Sequence, residues 1–277
     1  MGLFFALFAG GVFHPAQGET LADLTGLAIM QSVSDRQFRP FEFEQLTITR
    51  TRGDGTQVVR KGRRYTRLEK GEGGVSRYLL VFDQPEAIKG VAFLIRHLPG
   101  GIQGHWVYLP ALGQRMHRVF GDGGGGIFDT DFSVEDLANE DYSRFVYQRL
   151  ADAMHKKRPH FVIEARSAKS KGRWPSHYGS RRIFIDREHY RITRIDYYDR
   201  SGVLLKRRTN RSGGTKDAGI GWRPETIRME NLQDKTKTTL QTTRRLYSEE
   251  WVPEHYFSRD KIVKGVLMEK KQVKHPQ

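Results

Sequence analysis

HWVYLPALGQRMHRVFGDGGGGIFDTDFSVEDL, residues 105–137, is the stretch that decides the fold. Runs of aromatic and β-branched residues lead into it at 78–82, 91–97 and 105–109, and such runs are typical of strands. Turn-forming residues separate the runs, so we expect each strand to pair with the preceding one. The sequence therefore predicts an antiparallel meander.

A glycine-rich link and a short helix follow the predicted meander. Gly121 and residues 123–126 interrupt the strand pattern, and we expect them to act as a hinge. Asp131 or Ser133, with Asp136 three residues after the serine, predicts the N-cap of a short helix. This order of elements indicates a curved sheet with a helical segment folded over it.

The segments before this stretch predict a helix and two strands. Leu21–Asp35 places apolar residues near helical spacing, which predicts an amphipathic helix whose apolar stripe needs a partner. Phe41–Ile48 alternates in polarity but changes phase near Gln45, and this change predicts a β-bulge that bends the strand. The basic segment 58–69 predicts a strand at the surface, near an edge of the sheet.

The segments after this stretch extend the sheet. Asp199–Gly202 predicts the turn of one hairpin, and residues 222–231 with 236–247 predict a second hairpin. The chain contains no strand-helix-strand repeat, so we expect a mainly β fold with about 11 antiparallel strands.

Composition limits both the fold and the partners. The chain has 277 residues, of which 37% are hydrophobic and 11% aromatic, and this is enough for a packed core. The formal net charge of +15 indicates anionic partners such as phospholipid headgroups or nucleic acid, or else a well-solvated basic surface. Cysteine is absent, which excludes disulfides, thiolate catalysis and zinc–thiolate sites.

The N-terminus has the character of a secretion signal. Residues 1–13 are apolar, and small residues follow at 15–18, where a signal peptidase would cut after Gly18. The apolar run is shorter than the roughly 20 residues that span a bilayer, so a permanent anchor is the weaker alternative. We expect a signal peptide at 1–18, a single domain at 19–277 and a periplasmic location.

One pattern of carboxylates resembles ion or phosphate chemistry but lacks its other requirements. Asp129, Asp131 and Ser133, with Glu140, follow the ligand spacing of a calcium loop, but Val134 stands where that loop needs glycine. The same Asp-x-Asp pair would need a buried parallel strand before it to act in phosphoryl transfer. Helix capping is the favoured role for these carboxylates.

The sequence contains no complete set of catalytic or metal-binding residues. The glycine run is not followed by the Lys-Ser or Lys-Thr of a phosphate loop. Gly74 and Ser76 lack the second glycine of a nucleophile elbow, and Ser258 with Lys261 has no companion motif. The ten histidines are scattered without metal-ligand spacing. We therefore expect no enzymatic activity, no metal and no cofactor.

Apolar residues on the central strands are the remaining candidates for a binding surface. They could share one face of the sheet, where they would form either a plain filled core or the wall of a cavity. They are Leu80, Phe82, Phe93, Ile95, Trp106, Tyr108 and Met116.

Three blocks resemble the periplasmic LolA-like family, whose members are often named as outer membrane lipoprotein-sorting proteins. They are LLVFDQPEAIKGVAFLI (79–95), WVYLPALGQR (106–115) and FDTDFSVEDL (128–137). The resemblance extends over most of the chain from about Leu21, with further matches at 197–202, 221–227 and 254–262. It implies a curved, unclosed antiparallel half-barrel with short helices covering its mouth. It also implies that acyl chains bind in the concave face, on the seven apolar residues named above.

These observations predict a periplasmic carrier that shields the acyl chains of a lipid or lipoprotein. The resemblance implies a monomer that serves an RND-type lipid exporter in the inner membrane or an outer-membrane receptor. Arg50, Arg63 and Arg64 could meet acidic headgroups at the rim. The alternative is a non-catalytic envelope adaptor with a filled barrel and a basic docking face. Nucleic-acid binding is not expected for a secreted protein.

Overall fold

The computed structural model describes residues 23–69, 76–98, 101–119, 126–137, 140, 142–167, 176–211 and 223–265. These residues form one antiparallel sheet of thirteen strands and three α-helices. The strands are β1 (Phe41–Thr51), β2 (Gln57–Leu68), β3 (Ser76–Gln84), β4 (Ala92–Leu98), β5 (Gly101–Tyr108), β6 (Met116–Val119), β7 (Phe145–His155), β8 (Arg158–Ser167), β9 (Ser180–Asp186), β10 (Arg191–Tyr198), β11 (Leu204–Arg211), β12 (Thr226–Asn231) and β13 (Thr236–Leu246). The helices are α1 (Gly26–Gln37), α2 (Val134–Leu137) and α3 (Arg259–Val263).

The mainly β, antiparallel fold predicted from the sequence is confirmed. The strand order is β6-β5-β4-β3-β2-β1-β13-β12-β11-β10-β9-β8-β7, and the sheet does not close into a barrel. The sheet has thirteen strands, where the sequence predicted about 11. The predicted signal peptide, Gly74 and the glycines at 121–125 lie outside the described residues.

The chain crosses the open side of the sheet once. Strands β1 to β6 extend outward to one edge, and strands β7 to β13 return from the opposite edge until β13 pairs with β1. The connection between the two edges contains α2. This path brings the residues around α2 over the face of the sheet, as the sequence predicted for its helical segment.

The basic strand β2 does not lie near an edge, and that prediction was wrong. It pairs with both β1 and β3. Its arginines are tolerated inside the sheet because carboxylates on neighbouring elements compensate them: Arg63 binds Asp83 at 2.7 Å, and Arg64 binds Glu44. Ion pairing thus replaces the solvent exposure that we expected for these side chains.

The sheet is strongly curved. Tyr78 on β3 and Arg181 on β9 lie seven strands apart in the sheet, which would separate them by roughly 34 Å if the sheet were flat. Both side chains nevertheless line the same cavity of about 230 Å³. The face that carries this cavity is therefore concave.

A β-bulge between β1 and β13 contributes to this shape. The pairing shifts between Gln45 and Leu46, where the sequence predicted a bulge, but the extra residue, Thr243, lies on β13 and not on β1. Strand β1 keeps its alternation, with Phe43 on the convex side and Leu46 and Ile48 on the concave side. The apolar residues of β1 therefore change face because they move from odd to even positions.

Helix α1 packs inside the concave face near β7. Thr25 caps it by accepting a hydrogen bond from the Ala28 amide at 3.2 Å, and Ile29, Met30 and Val33 are buried. Gly26 permits the close approach, because a Cβ there would lie 2.9 Å from the Tyr147 carbonyl oxygen. The predicted amphipathic helix is confirmed with its start moved toward the C-terminus, although residues 21 and 22 lie outside the described part of the chain.

The convex face has its own apolar layer. The C-terminal segment, with short 3₁₀ helices at Glu249–Trp251 and Glu254–Phe257 followed by α3, covers it. Trp251 stacks on Phe43 with ring centroids 5.6 Å apart. The buried members of this layer are Phe43, Tyr65, Leu79, Val81, Ala92, Leu94, Val252, Phe257 and Ile262. Helices of membrane-spanning length and hydropathy do not occur in the described ranges.

Candidate functional site

The segment 126–137, which we call the lid segment, lies over the concave face. Gly126 begins it in a tight turn where a Cβ would lie 2.1 Å from the Thr130 carbonyl oxygen. Its end is a capping box, since the Ser133 amide donates to Asp136 Oδ2 at 2.7 Å and the Asp136 amide donates to Ser133 Oγ at 3.3 Å. The predicted N-cap at Ser133 is therefore confirmed.

Asp131 attaches the lid segment to the centre of the sheet. Its amide donates to Thr238 Oγ1 at 2.9 Å, and the same hydroxyl donates to Asp131 Oδ2 at 2.7 Å. The Thr236 hydroxyl donates to the other carboxylate oxygen. Asp131 and Thr238 are both buried, so these hydrogen bonds are shielded from water.

Three arginines hold Asp129 at the other end of the lid segment. Arg60 lies 3.3 Å and Arg52 3.6 Å from Asp129 Oδ2, and Arg50 pairs with Oδ1. Phe128 and Asp129 both adopt positive φ angles, 49° and 53°, which turn the aromatic ring inward and the carboxylate outward. These contacts give both carboxylates of the Asp-x-Asp pattern a structural role.

An apolar cavity lies between the lid segment and the sheet. Its volume is about 50 Å³, far below the roughly 300–1,000 Å³ of typical ligand sites. The lid segment closes one side with Phe128, Phe132 and Leu137. The remaining lining residues include Leu46, Ile48, Tyr78, Leu80, Phe82, Phe93, Ile95 and Leu240.

Four of the seven predicted lipid-binding residues line this apolar cavity: Leu80, Phe82, Phe93 and Ile95. The other three, Trp106, Tyr108 and Met116, pack against the convex layer. The expectation that all seven share one face was wrong, because Trp106 pairs with Leu94 and Tyr108 with Ala92, whereas Val107 pairs with Phe93. Lipid binding by the four concave residues stays a prediction.

A second, polar cavity of about 230 Å³ adjoins the apolar cavity. Arg64, Tyr78 and Leu137 line both cavities. The charged side chains around the polar cavity are Glu42, Arg64, Glu135, Asp136, Glu140, Arg181, Arg208, Arg223 and Arg245. The concave face is therefore divided into an apolar part and a charged part that meet at these shared residues.

Glu42 and Glu44 share the concave side of β1 but differ in electrostatics. Burial would raise the pKa of Glu44, but Arg64 and Arg245 outweigh burial and lower that pKa to about 2. Burial raises the pKa of Glu42, and the charge of Glu44 raises it further against the opposing effect of Arg223. One carboxylate is thus held ionised while its neighbour is biased toward the neutral form.

Sequence reasoning missed this polar cavity. Alternation of Phe41, Glu42, Phe43 and Glu44 is typical of a strand with one solvated row, whereas the second to fourth of these residues are buried. The register supplied the missing information, since it places Glu44 directly opposite Arg64 on β2 and Arg245 on β13. Charge complementarity between segments so far apart is visible only after the strands are paired.

One cluster in the described residues has the composition of a metal site. Ligand atoms of Asp186, Glu188 and His189 lie within 4.8 Å of one another in the turn between β9 and β10. Asp186 Oδ1 already accepts the His189 amide at 2.9 Å, and Arg158 lies 3.5 Å from Oδ2. The turn therefore uses this carboxylate for its own geometry.

The three arginines predicted at the rim have internal partners. Arg50 pairs with Asp129, Arg63 with Asp83 and Arg64 with Glu44. Arg64 lines both cavities and is thus placed within the concave face. The contact with acidic headgroups expected for these residues stays a prediction.

Comparisons with known structures agree with this architecture. A domain named for outer membrane lipoprotein sorting, from Vibrio parahaemolyticus, is 26% identical with a TM-score of 0.76, covering 86% of this chain and 98% of that one. A DUF1329 family protein from Desulfovibrio piger is 21% identical with a TM-score of 0.74, covering 84% of this chain and 98% of the other. A LolA superfamily protein from Nitrosomonas europaea is 17% identical with a TM-score of 0.65, at 86% and 99% coverage.

Comparison at the level of sequence gives a consistent assignment. Among curated proteins, none matches the chain. A family model described as an uncharacterized protein matches residues 74–264, which contain the lid segment and all strands from β3 to β13. This match shows that the chain belongs to the family that the model describes, and the open sheet that it shares with the solved structures is the LolA-like fold.

Proposed function

We propose that this protein is a non-catalytic periplasmic carrier that binds the acyl chains of a lipid or lipoprotein in its concave face. The observation that carries the proposal is the apolar cavity enclosed between the curved sheet and the lid segment. The likeness to the Vibrio lipoprotein-sorting domain supports the same class of cargo. The apolar N-terminus at residues 1–13 supports secretion.

The structure corresponds to the closed state of such a carrier. A cavity of about 50 Å³ is too small for an acyl chain, so cargo must displace Phe128, Phe132 and Leu137. Each methylene removed from water contributes about 0.8 kcal/mol, so a chain of fourteen methylenes offers roughly 11 kcal/mol. That free energy is large enough to offset the loss of the lid segment's contacts and still leave a moderate affinity.

The polar attachments of the lid segment determine how much of that free energy opening consumes. Asp131 must leave Thr236 and Thr238, and Asp129 must leave its three arginines. Moderate net affinity suits a carrier, because cargo must pass on to an exporter component or an outer-membrane receptor. Such a carrier needs no nucleotide of its own, since a receiver that binds the chain more tightly drives transfer.

A reversible crosslink between the lid segment and the sheet tests the proposal. The chain has no cysteine, so Asp131→Cys with Thr238→Cys introduces the only two thiols, at positions whose side chains are in hydrogen-bond contact. The oxidised double variant is expected to take up no fluorescent fatty acid, whereas the same protein after reduction takes it up. Wild type under the same reducing agent is the control for the reductant.

The two forms separate the possible outcomes. Equal uptake by the oxidised and reduced forms would show that the lid segment need not move, which contradicts the proposed route. No uptake by wild type or by either form, together with no lipid in native mass spectra of protein purified from the periplasm, would exclude the carrier.

The small apolar cavity favours a second candidate, an envelope adaptor with a filled half-barrel. A net charge of +15 would then serve a basic face that docks on an anionic membrane or protein surface. This candidate predicts that binding to anionic vesicles weakens steeply with salt. It also predicts that oxidation of the cysteine pair has no effect on that binding.

A further inference from the structure

The concave face is amphipathic, and its two parts are contiguous. The apolar cavity is bounded mainly by aliphatic and aromatic side chains, whereas the polar cavity next to it is lined by nine charged residues. Arg64, Tyr78 and Leu137 stand at the boundary and line both. A ligand with an apolar tail in the first cavity would thus extend its polar end into the second.

The polar cavity has an excess of positive charge. Five arginines and four carboxylates line it. Two further cations stand behind the carboxylates, since Arg144 lies 3.5 Å from Glu135 and Lys206 lies 3.8 Å from Asp136. Glu44, which binds Arg64 and Arg245, adds one carboxylate to the ion pairs of the described residues around the cavity. The cations therefore outnumber the carboxylates by two even when all carboxylates are ionised.

Arg208 carries much of this excess. Its Nη1 donates to the Asp136 carbonyl oxygen at 3.2 Å and its Nε donates to Asn210 Oδ1 at 2.9 Å. Within the described ranges it forms no ion pair with a carboxylate. These two acceptors and a hydrogen bond with Tyr197 fix the guanidinium in position, and none of the three partner groups is a carboxylate.

Arg223 offers a further donor in the lining of the polar cavity. Its Nε lies 3.2 Å from Glu42 Oε2, but within the described structure this nitrogen makes no hydrogen bond. A buried N–H group without a hydrogen bond favours a ligand that brings an acceptor oxygen.

We propose that the polar cavity binds a phosphate-bearing headgroup of the cargo whose acyl tail occupies the apolar cavity. This inference rests on the proposed carrier function and narrows its substrate class to anionic phospholipids or phosphorylated lipid anchors. The planar guanidinium groups of Arg208 and Arg223 match two oxygens of a phosphate at once. The charge of −1.5 to −2 on a phosphate monoester would approximately neutralise the excess of two cations, and the single charge of a phosphodiester would neutralise about half of it.

Two lipids that differ only in the phosphate test the inference. The probes are 1-myristoyl lysophosphatidic acid and 1-myristoylglycerol, each kept below its micelle concentration and measured by displacement of a fluorescent fatty acid. The expected result for wild type is that the phosphate-bearing lipid binds at least about tenfold more tightly. Arg208→Gln and Arg223→Gln are each expected to reduce this preference by about five- to tenfold. Because the ratio compares two ligands in one protein, partial loss of folded protein affects both equally.

The matched control is Arg166→Gln, which removes an arginine that is 67% exposed and pairs with Glu164 on β8. It is expected to keep the wild-type preference. Inorganic phosphate is the third probe, and at concentrations equal to the lipid it is expected to leave the preference unchanged, because it lacks the tail.

Each remaining outcome overturns one statement. Tight binding of both lipids with a ratio near one overturns the headgroup site and leaves the carrier standing. Binding of neither lipid overturns the carrier itself. If the preference for the phosphate-bearing lipid survives both arginine substitutions, the phosphate binds elsewhere and the inference is overturned. Removal of that preference by equimolar inorganic phosphate also overturns it.

Discussion

The carboxylate of Asp129, on the lid segment, lies 3.3 Å from the guanidinium of Arg60, which projects from β2 on the sheet. Arg50 and Arg52 approach the same carboxylate, so three cations compete for one anion. Burial lowers the pKa of Arg60, and the charges of Arg50 and Arg52 lower it further, which shows that a single carboxylate leaves this cluster positively charged. Asp129 thus acts as an electrostatic latch that holds the lid segment closed.

Opening this latch should increase the uptake of cargo. Ion pairs of this exposure contribute about 0.2–1 kcal/mol each, so loss of all three in Asp129→Asn is expected to shift the lid equilibrium toward the open form by about 0.6–3 kcal/mol, or roughly 3- to 150-fold. The apparent affinity for a fluorescent fatty acid should rise by a similar factor at low ionic strength. In wild type, added salt should reproduce part of this effect by screening the three pairs.

Glu188→Gln is the matched control for the latch, because it removes a 71% exposed carboxylate paired with Arg158 and His189 far from the lid segment. Its uptake should equal that of wild type. If both substitutions raise uptake equally, net charge is responsible and the latch is wrong.

Neighbouring residues on β4 test the assignment of the two faces. Phe93 lines the apolar cavity, whereas Leu94 belongs to the convex layer, and they are 7% and 0% exposed. Truncation of either to alanine should lower the free energy of unfolding by about 2–5 kcal/mol. Only Phe93→Ala enlarges the apolar cavity. A methylene of cargo that fills the new space should add about 0.8 kcal/mol to the binding free energy, which is roughly a fourfold gain in the affinity for cargo.

Urea unfolding and fatty-acid titration of the same two variants separate stability from binding. Equal changes in affinity for Phe93→Ala and Leu94→Ala would contradict the assignment of cargo to the concave face. A gain confined to Leu94→Ala would place the binding surface under the C-terminal segment instead.

The elements that the sequence predicted well are those whose signals are local. Ser133 with Asp136 marks the start of α2, whereas the phase change near Gln45 gives the position of the bulge but not its strand, because the extra residue lies on β13. The turn at Asp199 accepts the amides of Ser201 and Val203 at 2.8 Å each, as expected for the predicted hairpin. These signals need no knowledge of distant partners.

The candidate site depends instead on contacts between distant segments. Trp106 was assigned to the concave face, but one residue of register reverses a strand, and only the pairing with Leu94 fixes the side. Asp129 meets Arg60 across 69 positions of sequence, and Glu44 meets Arg245 across 201. A single sequence does not contain the pairing that brings these charges together, so the latch and the polar cavity could not be predicted.

His105 should make the protein less stable in mild acid. Burial lowers the pKa of His105 to about 4 from its ordinary value near 6.5. Between pH 6.5 and pH 4 the His105 imidazole is protonated in the unfolded chain but neutral in the folded chain. The free energy of unfolding therefore decreases as the pH falls from 6.5 toward 4. Between pH 7 and pH 5 this loss amounts to about 2 kcal/mol.

His105→Gln is expected to remove that part of the pH dependence, as measured by urea unfolding at the two pH values. His255→Gln, which removes an exposed imidazole, is the control and should keep it. An unchanged difference between pH 7 and pH 5 in His105→Gln would assign the effect to other groups.

Glu42 and Glu44 should respond to the same substitution with opposite consequences. Because the pKa of Glu44 is lowered to about 2 despite burial, its ionised form contributes stability above pH 4.5 that is lost as the pH falls toward 2. Glu44→Gln leaves Arg64 without its carboxylate partner and Arg245 with Glu42 alone, and should cost about 3–5 kcal/mol at pH 7. Burial and the charge of Glu44 raise the pKa of Glu42, so its ionisation at neutral pH costs stability, and Glu42→Gln should be neutral or stabilising there. If both variants lose the same free energy of unfolding at pH 7, the two carboxylates share one environment, which would contradict the geometry around β1.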